Sequence, residues 1–173
     1  GHSIIMDYSY KYFYGDGYGK DFYILNLEKE TPDDTDTRHT LLLGNALSFF
    51  NQLMVYNNNK EIINKYNIER PLWIFVGSKV NTSNDKTKSD IINVVKFIHW
   101  ITSQENKLEI IEKINNILNG KSGIIDRNNN DVFSRQYDEL LFSYKLRNMK
   151  AEKIYSEMLK LIFKCNEGSK VQN

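Results

Sequence analysis

Closely spaced glycines followed by a lysine can close a backbone cradle around a phosphate, and Gly15-Asp16-Gly17-Tyr18-Gly19-Lys20-Asp21 has that composition. The spacing does not fit. A phosphate loop needs a glycine five residues before its Gly-Lys pair and Ser or Thr after it, and those places hold Tyr14 and Asp21. The residues that follow read as strand, so no helix N-terminus faces the site, and a structural turn is the better reading. His39, His99 and the single Cys165 have no metal-chelating spacing. His99, beside Trp100, reads as an ordinary half-buried histidine. Asp33, Asp34 and Asp36 lack the glycine and terminal glutamate of a calcium loop and read as solvated. Cys165 has no histidine near it in sequence, and Ser78 lies in Val76-Gly77-Ser78-Lys79 rather than G-x-S-x-G. No self-contained catalytic constellation emerges. Lys145, Arg147, Lys150, Lys153, Lys160 and Lys164 could track a phosphate backbone, but Glu152 and Glu157 interleave and favour a solvated helix face.

The elements that would position these residues are bounded by composition. The chain has 173 residues, 40% of them hydrophobic and only 9 Gly and 2 Pro, which suits one packed core and excludes disordered, collagenous and disulfide-scaffold classes. Lys plus Arg number 23 against 22 Asp plus Glu, so any nucleic-acid contact must be local. No stretch approaches the roughly 20 apolar residues of a membrane span. A cytoplasmic protein without membrane contact is expected. Gly1-His2-Ser3 reads as the remnant of a cleaved affinity tag.

The Tyr- and Phe-rich opening leads through a glycine-rich turn to a strand over 21–27. An acidic loop follows over 31–37. Leu43, Ala46, Leu47, Phe50, Leu53 and Met54 recur at helical spacing and predict a core-facing helix over 40–56, with a shorter helical piece over 61–66. Pro71 then introduces Leu72-Trp73-Ile74-Phe75-Val76, an unbroken apolar run that ends at Gly77-Ser78 and suits a buried parallel strand. In open parallel sheets ligands gather beyond such strand ends, which makes Ser78 and Lys79 the most suggestive position, although a plain turn at Gly77 and Ser78 accounts for the residues equally well. Past the loop 81–88, a helix capped by Ser89 carries Ile91, Val94, Val95, Ile98 and Ile101 on one face. Another, capped by Ser103, carries Leu108, Ile111, Ile114 and Leu118 and stops at Gly120. Helices over 131–145 and 151–164 complete a helix-rich α/β pattern, with Asn57-Asn58-Asn59 and Asn128-Asn129-Asn130 as loop tips.

Three stretches carry a resemblance: Asp7-Tyr8-Ser9-Tyr10-Lys11-Tyr12-Phe13-Tyr14 with Asp16-Gly17-Tyr18-Gly19-Lys20-Asp21, Arg70-Pro71-Leu72-Trp73-Ile74-Phe75-Val76-Gly77-Ser78 with Ser89-Asp90-Ile91-Ile92, and Gly120-Lys121-Ser122-Gly123-Ile124-Ile125-Asp126. With Ile162-Phe163-Lys164-Cys165 near the end, they resemble DEAD/DEAH-box helicase-like proteins, and among these the Res subunits of type III restriction enzymes. The resemblance covers nearly the whole chain through long, non-catalytic motifs. It implies an internal piece of an ATP-driven DNA helicase or translocase: residues 4–69 as the connection between lobes, 70–165 as the early part of a RecA-like second lobe with a helical insertion, and 166–173 as a polar tail. Phe75, Val76, Gly77, Ser78 and Lys79 would then correspond to the fourth helicase motif and contact nucleic acid or the interlobe cleft. The first lobe of the same parent would be the partner. ATP and Mg would belong to the parent, and DNA would bind this chain weakly or only there.

The sequence contains no G-x-x-x-x-G-K-[ST], no Asp-Glu-Ala-His and no Q-x-x-G-R-x-x-R. Without a phosphate-cradling lysine, a magnesium-holding acid or an arginine finger, the chain alone is expected to be inactive as an ATPase. The alternative is a freestanding, non-enzymatic α/β module that binds a protein through its aromatic N-terminal segment.

Overall fold

The structure, a computed structural model, describes residues 8–17, 34–75, 90–126, 128–134 and 142–166. Seven α-helices occur among them: α1 (Tyr10–Gly15), α2 (Thr35–Asn58), α3 (Lys60–Lys65), α4 (Asp90–Thr102), α5 (Lys107–Leu118), α6 (Tyr144–Arg147) and α7 (Ala151–Met158). A 3-10 turn, Gln104–Asn106, precedes α5, and a π-helical turn, Leu159–Phe163, continues α7.

The α/β, RecA-like expectation is overturned: 67% of the described residues are helical and none is in a strand. An isolated bridge between Ile125 and Asp131 is the sole β pairing described. The run read as a buried parallel strand has no sheet to join over 72–75, and Leu72 and Ile74 are 79% and 68% exposed. Its apolar composition serves a different purpose. Trp73 alone turns inward, its ring packed 5.6 Å from Phe49 and 6.4 Å from Phe97 between centroids, and so pins an extended segment to the helices. The strand over 21–27 and the Ser89 cap lie outside the described residues.

The helix α2 starts earlier than its apolar pattern, inside the stretch read as an acidic loop. Asp34 is its N-cap, its carboxylate accepting from the Asp36 backbone N–H at 3.0 Å and from the Thr37 hydroxyl. Short Asp and Thr side chains that compete with a helix interior complete a helix start instead. Asp36, favourably placed near the positive end of the helix dipole, pairs at 2.8 Å with Lys113 of α5, which also donates to the buried Thr40 hydroxyl at 3.2 Å. This clamp fixes α2 against α5. Behind it, Leu43, Ala46, Leu47, Phe50 and Leu53 are buried, as the periodicity predicts.

The buried face of α5 is Ile110, Ile111, Ile114 and Ile117, while Leu108 is 80% exposed. Ser103 makes no side-chain cap; it opens the 3-10 turn before α5. At the other end, the N–H groups of Gly120 and Lys121 donate to the carbonyls of Ile117 and Asn116, a closure that needs the left-handed φ of +64° at Gly120. Of the helix expected over 131–145, residues 131–134 and 142–143 are not helical, and residues 144–145 open α6. Residues 120–134 make a tight turn-back centred on Asn129, with α6 beginning at Tyr144; residues 135–141 lie outside the described residues. The reason is side-chain competition for the backbone. Asp126 accepts from the N–H groups of Asn128 and Asn130, and Asp131 accepts from Ser122, Gly123 and the Phe133 N–H.

In α4 the expected face holds in part: Ile101 is buried and Val94 half-buried, but the rest of the face is turned away from the core. Phe97, Trp100 and Ile101 are buried, whereas Ile91, Val95 and Ile98 point outward at 71%, 58% and 37% exposure, and His99 is exposed rather than half-buried. This helix is apolar nearly all round, so periodicity alone offers two faces. The larger area of the two aromatics decides which one enters the core.

Candidate functional site

Of the residues expected to form a nucleic-acid or interlobe contact, only Phe75 is described. It is 42% exposed and its ring lies 4.6 Å from that of Trp73, at the end of the pinned segment. Val76, Gly77, Ser78 and Lys79 lie outside the described residues, as do Gly19 and Lys20 of the glycine-rich run. Asp34 and Asp36 are exposed, as the solvated reading expects, but they belong to a helix start rather than a loop: Asp34 caps α2 and Asp36 holds Lys113. Among the described residues no group of three or more His, Cys, Asp and Glu is placed to hold a metal ion.

The basic C-terminal residues separate. Arg147 turns back and donates from Nε to the Phe142 carbonyl at 2.7 Å, Lys150 is the N-cap position of α7, and Lys164 ends the π-helical turn with φ +57°. Lys145, Lys153 and Lys160 converge on one cleft of about 500 Å³ between the C-terminal half of α2, α6 and the α7–π segment. Its floor is apolar, built from Phe50 and Met54 of α2 with Met149 and Leu161. Local rules place the rim. Ser143 caps α6 by accepting from the Leu146 N–H at 3.3 Å, and the side-chain Oδ1 of the buried Asn51 accepts from the Ser143 N–H at 3.2 Å, so α6 is tied directly to α2. Lys153, Glu157, Lys160 and Leu161 share one helix face by their spacing. The Lys153 ammonium lies 3.7 Å from Glu157, and the rim as a whole keeps an excess of positive charge. In the sequence the lysines were visible as a locally basic run; the floor was not, because Phe50 and Met54 come from another helix.

Comparison with family models, curated proteins and solved structures finds no match. The single thiol, Cys165, is not poised as a nucleophile. Burial pushes the Cys165 thiol up, away from the thiolate a nucleophile needs, and its sulfur faces the Leu159 carbonyl at 3.9 Å. No helix among the described residues is long and apolar enough to cross a membrane.

His39, on α2, is stacked on Trp100 with centroids 4.5 Å apart and lies 6.3 Å from Phe97. Burial lowers its pKa, an effect that nearby Glu109 and Asp36 only partly offset. A histidine whose folded pKa is depressed is protonated more readily in the unfolded chain. Its contribution to stability is therefore full above its unfolded pKa, about 6.5, and is lost as pH falls from there through the folded pKa. Urea unfolding between pH 7.5 and 5.5 should show a fall in stability that is smaller in His39→Phe, a variant that keeps the ring on Trp100. An equal fall in both proteins would assign the pH dependence to other groups.

Proposed function

We propose that this chain is a non-catalytic segment of a larger ATP-driven DNA helicase or translocase of the kind the sequence resembles, and that the rest of that parent covers its outward apolar surfaces. The observation that carries this reading is the segment 70–75. Leu72 and Ile74 alternate outward around an anchored Trp73, so an extended, period-two apolar stretch lies open beside the helices. The outward Ile91, Val95 and Ile98 of α4 add a second apolar surface. Clustered exposed apolar side chains of this size are what a protein often buries against a neighbour. In this reading the neighbour is the parent's phosphate-loop-bearing part, which also supplies the ATP and Mg sites, and DNA is engaged by the assembled parent.

A second reading, a freestanding module that binds a protein partner, draws on Tyr8, Tyr10, Tyr12, Phe13 and Tyr14, all between 40% and 53% exposed on and beside α1. Aromatic side chains are favoured anchors at protein interfaces. Sequencing the source gene on both sides of this segment separates the two. A phosphate loop and an acidic box upstream, with an arginine motif downstream, are expected for the helicase segment. Start and stop codons closely bracketing the segment would overturn it and leave the freestanding module.

A further inference from the structure

The cleft between α2, α6 and the α7–π segment joins two features that the helicase reading does not use: an apolar floor and a lysine rim. Among the described residues, neither Lys145 nor Lys160 pairs with a carboxylate, whereas Lys153 stands 3.7 Å from Glu157. Among the described residues these two cations are open to an external anion. The floor narrows the class of that anion. A nucleic-acid backbone would gain little from Met54, Met149 and Leu161, and the one aromatic ring on the floor, Phe50, is 1% exposed and offers no platform on which a base could stack. Unbranched, polarizable methionine side chains adapt instead to a flexible hydrocarbon. Lysine stems can lie along such a floor while their ammonium groups stay at the rim. The volume, about 500 Å³, falls in the range of small-molecule sites.

We propose that this cleft binds a small amphiphilic anion, an alkyl carboxylate or its close equivalent, with the chain over Met54, Met149 and Leu161 and the head group between Lys145 and Lys160. The site stands on its own geometry and does not depend on the helicase reading. Lys145 and Lys160 are exposed, so neutral variants should fold normally.

Isothermal titration of the protein with sodium decanoate, below its micellar concentration, provides the test. Saturable binding at one site is expected, with decyltrimethylammonium giving none. Lys145→Gln/Lys160→Gln should weaken decanoate binding about five-fold or more, the combined effect of two partly exposed ion pairs. Met149→Glu, which puts a negative charge on the floor, should weaken it further. The proposal is overturned by absence of saturable decanoate binding, by equal affinity for the cationic analogue, or by an affinity unchanged in the double variant. It is equally overturned if a single-stranded oligonucleotide binds through the same two lysines while decanoate does not, since the rim would then serve a phosphate backbone.

Discussion

Gly44→Ala should lower the unfolding free energy by about 1–2 kcal/mol, although the substitution favours a helix, because overpacking of a filled site costs about 1–3 kcal/mol against a propensity gain of up to about 1 kcal/mol. Gly44 is where α2 meets the turn-back of residues 120–134. A Cβ there would stand 2.2 Å from Cζ and 2.3 Å from Cε1 of Phe133. That ring has little room to retreat: Phe133 is 2% exposed, its ring neighbours that of Phe142 at 6.3 Å, and its backbone N–H is held by Asp131 at 2.9 Å. Asp131 is in turn tied to Ser122 and Gly123, so the turn-back moves only by breaking its own hydrogen bonds. Phe133→Ala should cost about 3–5 kcal/mol, the usual range for emptying a buried aromatic site. The informative measurement is the double variant in a urea-denaturation cycle. With the ring gone, Gly44→Ala should change sign and become stabilising by up to about 1 kcal/mol. A loss of equal size in both backgrounds would show that contact with Phe133 is not what keeps glycine at this position.

How far the fold was legible depended on how one-sided each element is. Helices α2 and α5 bury isoleucines, leucines and a phenylalanine on one side, so their spacing located both the elements and most of the core; Leu108, at the edge of the α5 pattern, was misassigned. For α4 the spacing located the helix and the buried Ile101 but put Ile91, Val95 and Ile98 in the core in place of Phe97 and Trp100, because the helix carries apolar residues on more than one side. Composition along a single segment is silent about partners, and this misled the reading of 72–76: an apolar, β-favouring stretch makes a strand only where another strand supplies hydrogen bonds. Residues 72–75 pack one indole instead. Over 131–134 the expected helix gives way to a turn, because Asp126 and Asp131 bind nearby backbone N–H groups. The cleft was half visible. Lys145, Lys153 and Lys160 belong to a run that could be noticed, whereas its floor required knowing that α2 passes beneath α6.

Removing only the Tyr155 hydroxyl, with Tyr155→Phe, should cost about 1–3 kcal/mol, because it leaves a buried carbonyl without that partner. The carbonyl is that of Ile101, which accepts the hydroxyl at 2.9 Å. It lies in the last turn of α4, where helix carbonyls lack intrahelical donors and must be satisfied from elsewhere. The chain does so in sequence. Thr102 Oγ1 shares its proton between the carbonyls of Ile98 and His99, the Trp100 carbonyl accepts from the Ser103 N–H and from the Asn106 amide at 3.0 Å, and Tyr155 reaches across from α7 for that of Ile101. The side chains of Thr102, Asn106 and Tyr155 therefore share one helix end, and of their bonds that of Tyr155 joins α4 to α7. Tyr155→Ala removes the ring as well, from a residue only 1% exposed, and should cost about 3–5 kcal/mol. The difference between the two variants isolates packing from hydrogen bonding. Amide hydrogen exchange adds a spatial readout: in Tyr155→Phe, faster exchange should concentrate at the C-terminal turn of α4 and in the following 3-10 turn, with α2 little changed. Uniform acceleration across all helices would mean that the hydroxyl contributes to global stability without specifically fastening this helix end.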